Sequence, residues 1–204
     1  MPDPIHNSAD DTAQRVAPQP FVIRAATAAD LAAITAIYRR EVLGGTATYE
    51  IDPPGEDEMA TRHAAVIAAG LPWLVAVDTD NADPNADAGT TAAVLGYAYA
   101  TPFRTRAAYK WTVENSVYVA DGAKGRGVGR ALLDRLVADV TERGYRRMIA
   151  VIGDNANVAS IRLHAAGGFE PVGTYPGIAF KHGRWLDSVH MQRALGDGTS
   201  TPPA

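Results

Sequence analysis

The residues VYVADGAKGRGVGRALL (117–133) place a strand-forming run, a glycine-rich loop and a helix-forming run in direct succession. Glycines alternate at positions 125, 127 and 129. A glycine backbone approaches a ligand closely and takes dihedrals closed to other residues. A helix that starts just after such a loop offers unpaired N–H groups and the positive end of its dipole. Together these features make an anion site, most naturally one for a pyrophosphate. Lys124, Arg126 and Arg130 add positive charge at the same spot. Two nucleotide motifs fail here. A Walker loop needs Lys-Ser or Lys-Thr after its glycine, and a GxGxxG fingerprint would put its third glycine at Arg130 or Leu132. A glycine turn without a ligand remains the plain alternative at this point.

Three further groups carry chemistry. Glu114 sits mid-strand in an otherwise apolar and aromatic segment. Partial burial would raise its pKa and suit it to accept a proton, while a solvated surface carboxylate reads equally from the residue alone. Arg104 and Arg106 form a guanidinium pair able to grip a carboxylate or phosphinate, or simply to aid solubility. His6, His63, His164, His182 and His190 show no tight ligand spacing, so no metal site is expected.

These groups need elements to position them. Phe21–Arg24 reads as a short strand. Thr27 and Asp30 open a helix whose Leu31, Ile34, Ile37 and Tyr38 share one face, ending before Gly44. Residues 46–52 are loop or extended. Pro53-Pro54-Gly55 breaks the chain, and the acidic turn Glu56–Glu58 starts a second helix running to about Gly70. Trp73–Val77 and Val94–Ala100 are partner strands around a long loop of turn formers, 78–91. Pro102–Ala108 is a basic loop. Along Trp111–Val119, Val113, Asn115, Val117 and Val119 share one face, and Thr112, Glu114, Ser116 and Tyr118 the other. After the glycine loop come a helix closed by Gly144, a strand at Arg146–Ile152 and a short helix at Asn157–Ala166. Phe169–Thr174 and Phe180–Gln192 supply the last strands, with Trp185 and Asp187 as structural residues. Tight loops imply antiparallel pairs, and the strand–helix–strand unit at 111–152 implies one parallel crossover. The expected fold is an α/β mixed sheet with helices on both faces, one domain over 20–195, with mobile tails at 1–19 and 196–204.

The loop K-G-R-G-V-G resembles the R/Q-x-x-G-x-G/A loop of the GCN5-related N-acetyltransferases (GNAT). N-x-x-S-x-x-L-H-x-x-x-G-F at Asn157–Phe169 resembles the same family's N-x-x-A-x-x-L-Y-x-x-x-G-F helix. WTVENSVYV, MIAVIGDNANVASIRLH and FKHGRWLD resemble the phosphinothricin and methionine sulfoximine N-acetyltransferase subfamily. The resemblance covers about residues 20–195. Lys124 departs from it, standing where the family usually has Arg or Gln.

The resemblance implies a mostly antiparallel, twisted sheet of six to seven strands and acetyl-CoA as co-substrate. It places the pyrophosphate on Lys124, Gly125, Arg126, Gly127, Val128, Gly129 and Arg130. It places the pantetheine arm along Val117, Tyr118 and Val119, with the Val119 N–H on the thioester carbonyl and Asn157 on the arm. Asn157 reads equally as a helix N-cap. Glu114 becomes the base, and His164 a proton donor for the leaving thiolate. Arg104, Arg106, Tyr49, Tyr109 and Lys181 become substrate residues. The implied reaction is direct acetyl transfer to the α-amino group of a small amino acid analogue, by a homodimer. Another amine substrate and a non-catalytic acyl-CoA sensor are the alternatives.

Composition removes other classes. The chain has 204 residues, no cysteine and a net charge of −4. That excludes disulfides and a thiol nucleophile, and gives no global field for nucleic acid. No apolar run reaches membrane-spanning length, and the acidic, Pro-bearing start does not resemble a signal peptide, so a cytoplasmic protein is expected.

Overall fold

A computed structural model describes residues 20–79 and 93–203. The N-terminal segment and most of the 78–91 loop lie outside the described residues. The strands are β1 (Phe21–Ala25), β2 (Trp73–Asp78), β3 (Val94–Pro102), β4 (Thr112–Val119), β5 (Arg147–Gly153), β6 (Glu170–Lys181) and β7 (Arg184–Ala194). The helices are α1 (Leu31–Gly44), α2 (Glu56–Ala68), α3 (Val128–Glu142) and α4 (Val158–Ala166). They build one sheet in the order β1-β2-β3-β4-β5-β7-β6. Only β4 and β5 pair in parallel; the other described pairs are antiparallel.

The two sheet faces are packed differently. Gly96, Ala98 and Ala100 keep the β3 face toward α3 small, and a Cβ on Gly96 would sit 2.7 Å from the Tyr118 carbonyl oxygen and 3.3 Å from Leu132 of α3. The other face is aromatic. Tyr97 stacks on Tyr118 at 5.1 Å, Trp73 stacks on Tyr99 at 4.2 Å, and Tyr38 of α1 meets Tyr118 edge-on. Both faces of β4 are therefore covered, and its alternation sorts residues between two helical layers.

The start of α1 behaves as its sequence signals. Thr27 and Asp30 form a capping box. The Asp30 carboxylate is buried and accepts from the Thr27 N–H at 2.8 Å and from both Arg24 terminal nitrogens at 2.7 and 2.8 Å. Arg24 holds this carboxyl below the usual range. Asp30→Ala should cost about 1–3 kcal/mol in denaturant unfolding at neutral pH. A folded pKa below the unfolded one means that this contribution is present above about pH 4 and is lost as pH falls through the folded value. The gap between wild type and variant should therefore close in acid, and a constant gap would contradict the assignment.

The last strands differ from the expectation. The sequence suggests a break at residues 175–179, where Pro176 and Gly177 stand. β6 instead runs through, and absorbs them as a register shift between Tyr175 and Ala179. An edge strand tolerates proline because one side of its backbone faces no partner. Gly177 takes a φ of 58°, and its N–H donates to Asp187 Oδ1 at 2.9 Å. The β6–β7 turn is His182-Gly183, both at positive φ, as a two-residue hairpin requires. Trp185 is 67 % exposed, so it serves no core role. Beyond β7, Leu195 is buried and Asp197 pairs with Arg146 at 3.1 Å.

Candidate active site

The β4–β5 ladder ends at the pair Asn115–Ala150, and the strands diverge beyond it. The ladder phase decides what the fork exposes. Phe103 and Ala120 donate to Thr112 and Leu95, which fixes the even-numbered β4 residues as those bonded to β3. Val117 and Val119 therefore aim N–H and C=O into the fork, where β5 has turned away. An extended ligand can add there like a strand.

Two adjoining cavities fill the fork. The larger, about 430 Å³, is lined by Val117–Val119, the glycine loop, and Asn157, Ser160 and Leu163 of α4. The smaller, about 40 Å³, lies deeper between Asn115–Tyr118 and Ala150–Gly153, with His164 in its wall. Ala47, Val117, Tyr118, Asn157 and Ser160 belong to both.

At the mouth, Gly125 and Gly127 have φ of 79° and 82°, and Gly127 is the N-cap of α3. The first helical bond runs from Ala131 to the Gly127 carbonyl, so the N–H groups of Val128, Gly129 and Arg130 have no backbone acceptor. Gly129 lets α3 start against its neighbours, since a Cβ there would be 3.3 Å from Val119 Cγ2 and 3.4 Å from Leu163. The nearby cations are already paired. Lys124 lies 2.7 Å from Asp121 and 3.5 Å from Glu41, Arg126 is 3.5 Å from Asp78, and Arg130 is 2.6 Å from Asp134. The backbone row is thus where this loop offers uncompensated donors.

Asn157 caps α4 by accepting from the Ser160 N–H at 3.2 Å, which leaves its amide nitrogen for the cavity. His164 is buried against Phe169. Its Nδ1 is 2.8 Å from the Ser160 carbonyl oxygen and its Nε2 is 3.0 Å from Asn115 Oδ1. Burial pushes the imidazole pKa down, and the Ser160 carbonyl partly opposes that.

Glu114 projects from the other face of β4. Burial raises its carboxyl pKa above the ordinary value, and Arg104 pulls it partly back. Arg104 stacks on Phe103 at 4.6 Å, and Tyr109 meets the same ring edge-on. Arg106 is exposed at the start of that short turn. Tyr49 and Lys181 have other contacts. The Tyr49 hydroxyl donates to the Asp187 carbonyl at 2.7 Å, and the buried Lys181 ammonium donates to the Thr48 carbonyl at 2.8 Å. Both fasten residues 45–50, a strap that crosses the fork so closely that a Cβ on Gly153 would lie 2.0 Å from the Thr46 oxygen. These contacts tie Tyr49 and Lys181 to the strap, whereas Arg104 and Tyr109 gather around Phe103.

Sequence reasoning passed over Asn115, Ser160 and Ala47. It also passed over His190, which shares the Glu114 face through the pairings Glu114–Ile149–Gln192 and Val151–His190. Asn115 left one usable signal, a carboxamide on the apolar side of an alternating strand.

A forked parallel pair with a glycine cradle at its mouth, and a shielded carboxylate behind it, defines an acyl-CoA-dependent acyltransferase. Residues 31–169 match the Acetyltransferase (GNAT) family, and the chain belongs to it. It is 45 % identical over 202 residues to phosphinothricin N-acetyltransferase of Alcaligenes faecalis, covering 97 % of this chain and 96 % of that one. It is 39 % identical over 183 residues to the L-methionine sulfoximine/L-methionine sulfone acetyltransferase of Pseudomonas aeruginosa, covering 88 % and 98 %. A solved phosphinothricin acetyltransferase from Sinorhizobium meliloti, in complex with acetyl-CoA, matches with a TM-score of 0.83 and 49 % identity over 91 % of this chain and 94 % of that one. The protein is an N-acetyltransferase with acetyl-CoA as co-substrate.

Proposed function

We propose that the enzyme acetylates the α-amino group of a small amino acid analogue: phosphinothricin, methionine sulfoximine or methionine sulfone. The observation that carries this reading is the position of Glu114. It lies one residue from Asn115, which lines the smaller cavity of the fork, on the opposite face of β4, with a raised pKa and Arg104 acting on it. Acetyl-CoA supplies the activated acyl group. The α3 N-terminus and the cradle from Lys124 to Arg130 hold its pyrophosphate, and Val117 and Val119 take the pantetheine arm. The Val119 N–H stabilises the developing oxyanion. Glu114 removes a proton from the ammonium, directly or through water, and the free amine attacks. His164 returns a proton on the thiolate side. Arg104 and Arg106 attract the substrate's anionic groups.

Arg104→Gln should raise KM for the amino acid substrate by about 10–100-fold, the worth of a charge-assisted hydrogen bond. Because Arg104 holds the Glu114 pKa down, the same change should move the acid limb of kcat/KM to higher pH. A shift to lower pH would contradict the placement. Tyr175, Ile178, Phe180 and Trp185 are exposed on β6 and β7, and β6 is an open edge, which supports a homodimer across this hairpin. Light scattering checks it. No helix among the described residues is long and apolar enough to cross a membrane.

The test is thiol release from acetyl-CoA with phosphinothricin, methionine sulfoximine, methionine sulfone, natural amino acids, spermidine and an aminoglycoside. Release with the first three supports the reading. Release only with the polycations would replace the substrate class, and acetyl-CoA binding without turnover would favour a sensor.

A further inference from the structure

β5 ends at Gly153, and the chain must turn there into α4. Asp154 makes the turn. It is buried and takes a φ of 71°, a left-handed conformation that few residues other than glycine adopt. Aspartate is one of them, because its short carboxylate bonds locally. Every polar group of this residue is engaged. Its N–H donates to the Asp187 carbonyl of β7 at 2.9 Å, and its own carbonyl accepts from the Asn157 N–H at 3.1 Å. Oδ1 accepts from the Ala156 N–H at 3.0 Å, and Oδ2 from the Arg184 guanidinium at the start of β7. The Ala156 N–H, helped by Arg184, holds the carboxyl below its usual range, so it is ionised at neutral pH. A buried charge persists only with such partners. Asn155 also reaches β7, through Asp187 Oδ2 at 2.7 Å, but that bond lies on the surface.

The turn pinned in this way ends on Asn157, the cap of α4. Two bonds orient that residue. Its N–H donates to the Asp154 carbonyl, and its Oδ1 accepts from the Ser160 N–H at 3.2 Å. Asn157 lines both cavities of the fork, and Asp154 lies outside both walls.

We propose that Asp154 is a positioning residue for acetyl-CoA that acts through Asn157: its buried carboxylate, fixed by Arg184, sets the turn that aims the Asn157 amide at the pantetheine arm. That the amide meets this arm rests on the acetyltransferase reading above. Without the carboxylate, the Ala156 N–H and Arg184 lose their shared acceptor, and only backbone bonds hold the turn. The glycine cradle at the start of α3 belongs to other elements and keeps its geometry.

The test is calorimetry on the full chain with two probes, CoA and phosphoadenosine diphosphate. The second is the nucleotide half of CoA, with the pyrophosphate and without the arm. Asp154→Gly takes the same φ without strain, so it isolates the carboxylate. It should weaken CoA binding about 3–10-fold, the worth of one neutral hydrogen bond, and leave the nucleotide half within about 2-fold. Asn157→Ala should do the same. Asp154→Gly added to Asn157→Ala should weaken CoA no further, because the first acts through the second. Additive losses, an unchanged CoA affinity in Asp154→Gly, or an equal loss for the nucleotide half would overturn the proposal and leave the acetyltransferase reading intact. If Asn157→Ala binds CoA as wild type does, the arm contact itself is absent, and the proposal falls with that part of the reading. Should Asp154→Gly fail to fold, Arg184→Gln decides. The Arg184 side chain is 53 % exposed, so its loss leaves the core intact. It should weaken CoA about 2–5-fold where Asn157 is present and not in Asn157→Ala. The same loss in both backgrounds, or none in either, would overturn the proposal.

Discussion

Replacing Glu114 with glutamine should lower kcat by about 10²–10³-fold, within the usual range for a positioned general base. The carboxylate is nearly isosteric with the amide, so packing against β3 and β5 should survive. Acetyl-CoA affinity should change little, because the cradle and the Val117–Val119 edge lie on the other face of β4. The pH dependence carries the sharper test. A base must be ionised to act, and burial puts the Glu114 pKa above the ordinary glutamate value. Wild-type kcat/KM should therefore fall as pH drops through that raised value, and Glu114→Gln should lose this limb along with its rate. Unaltered turnover near neutral pH would remove Glu114 from the mechanism and leave the amine to be deprotonated by solvent.

Gly127→Val should weaken acetyl-CoA binding by about 10–100-fold, read by calorimetry. Gly127 is the α3 N-cap at a φ of 82°. An L-residue in the left-handed region costs about 1–2 kcal/mol, and β-branching adds to it. The loop can escape that strain only by rotating, which turns the N–H groups of Val128, Gly129 and Arg130 away from the pyrophosphate. Two consequences combine, a strained apo loop and a mis-aimed anion seat. Gly122→Ala is the control. Its Cβ would meet nothing within 4 Å, and its φ is not left-handed, so affinity should hold. Equal affinity for Gly127→Val and wild type would move the phosphate seat elsewhere. Since the loop cations are already paired with Asp121, Glu41, Asp78 and Asp134, removing any single one should matter less than bending this backbone.

Much of this was written locally. Helix periodicity, the Thr27–Asp30 capping box, the acidic start of α2 and the alternation of β4 are short-range patterns, and each appears where its spacing put it. The glycine loop declared itself the same way, because strand, αL glycines and helix start are consecutive in the chain. Glu114 was legible as a carboxylate in an apolar strand, although its shielding depends on what covers that face. β6 was harder. Pro176 and Gly177 are breakers in isolation, and only the Asp187 carboxylate and an open sheet edge let the strand continue.

The rest comes from contacts that spacing does not encode. Asn115 meets His164 across 49 residues, Lys181 reaches Thr48 across 133, and Tyr49 reaches Asp187 across 138. Nothing near Lys181 in the chain signals that its ammonium is buried against the Glu41 and Thr48 carbonyls, where it fastens a strap. An asparagine among valines carries no assignment until the sheet forks beside it. Sequence by itself determined most of the elements, their order, and that a glycine loop runs into the start of α3, because those properties depend on neighbours within a turn or a strand. Tertiary structure alone decided where the parallel ladder stops, which residues strap it and which groups hold the His164 ring, because hydrogen bonds and burial are set by distance in space.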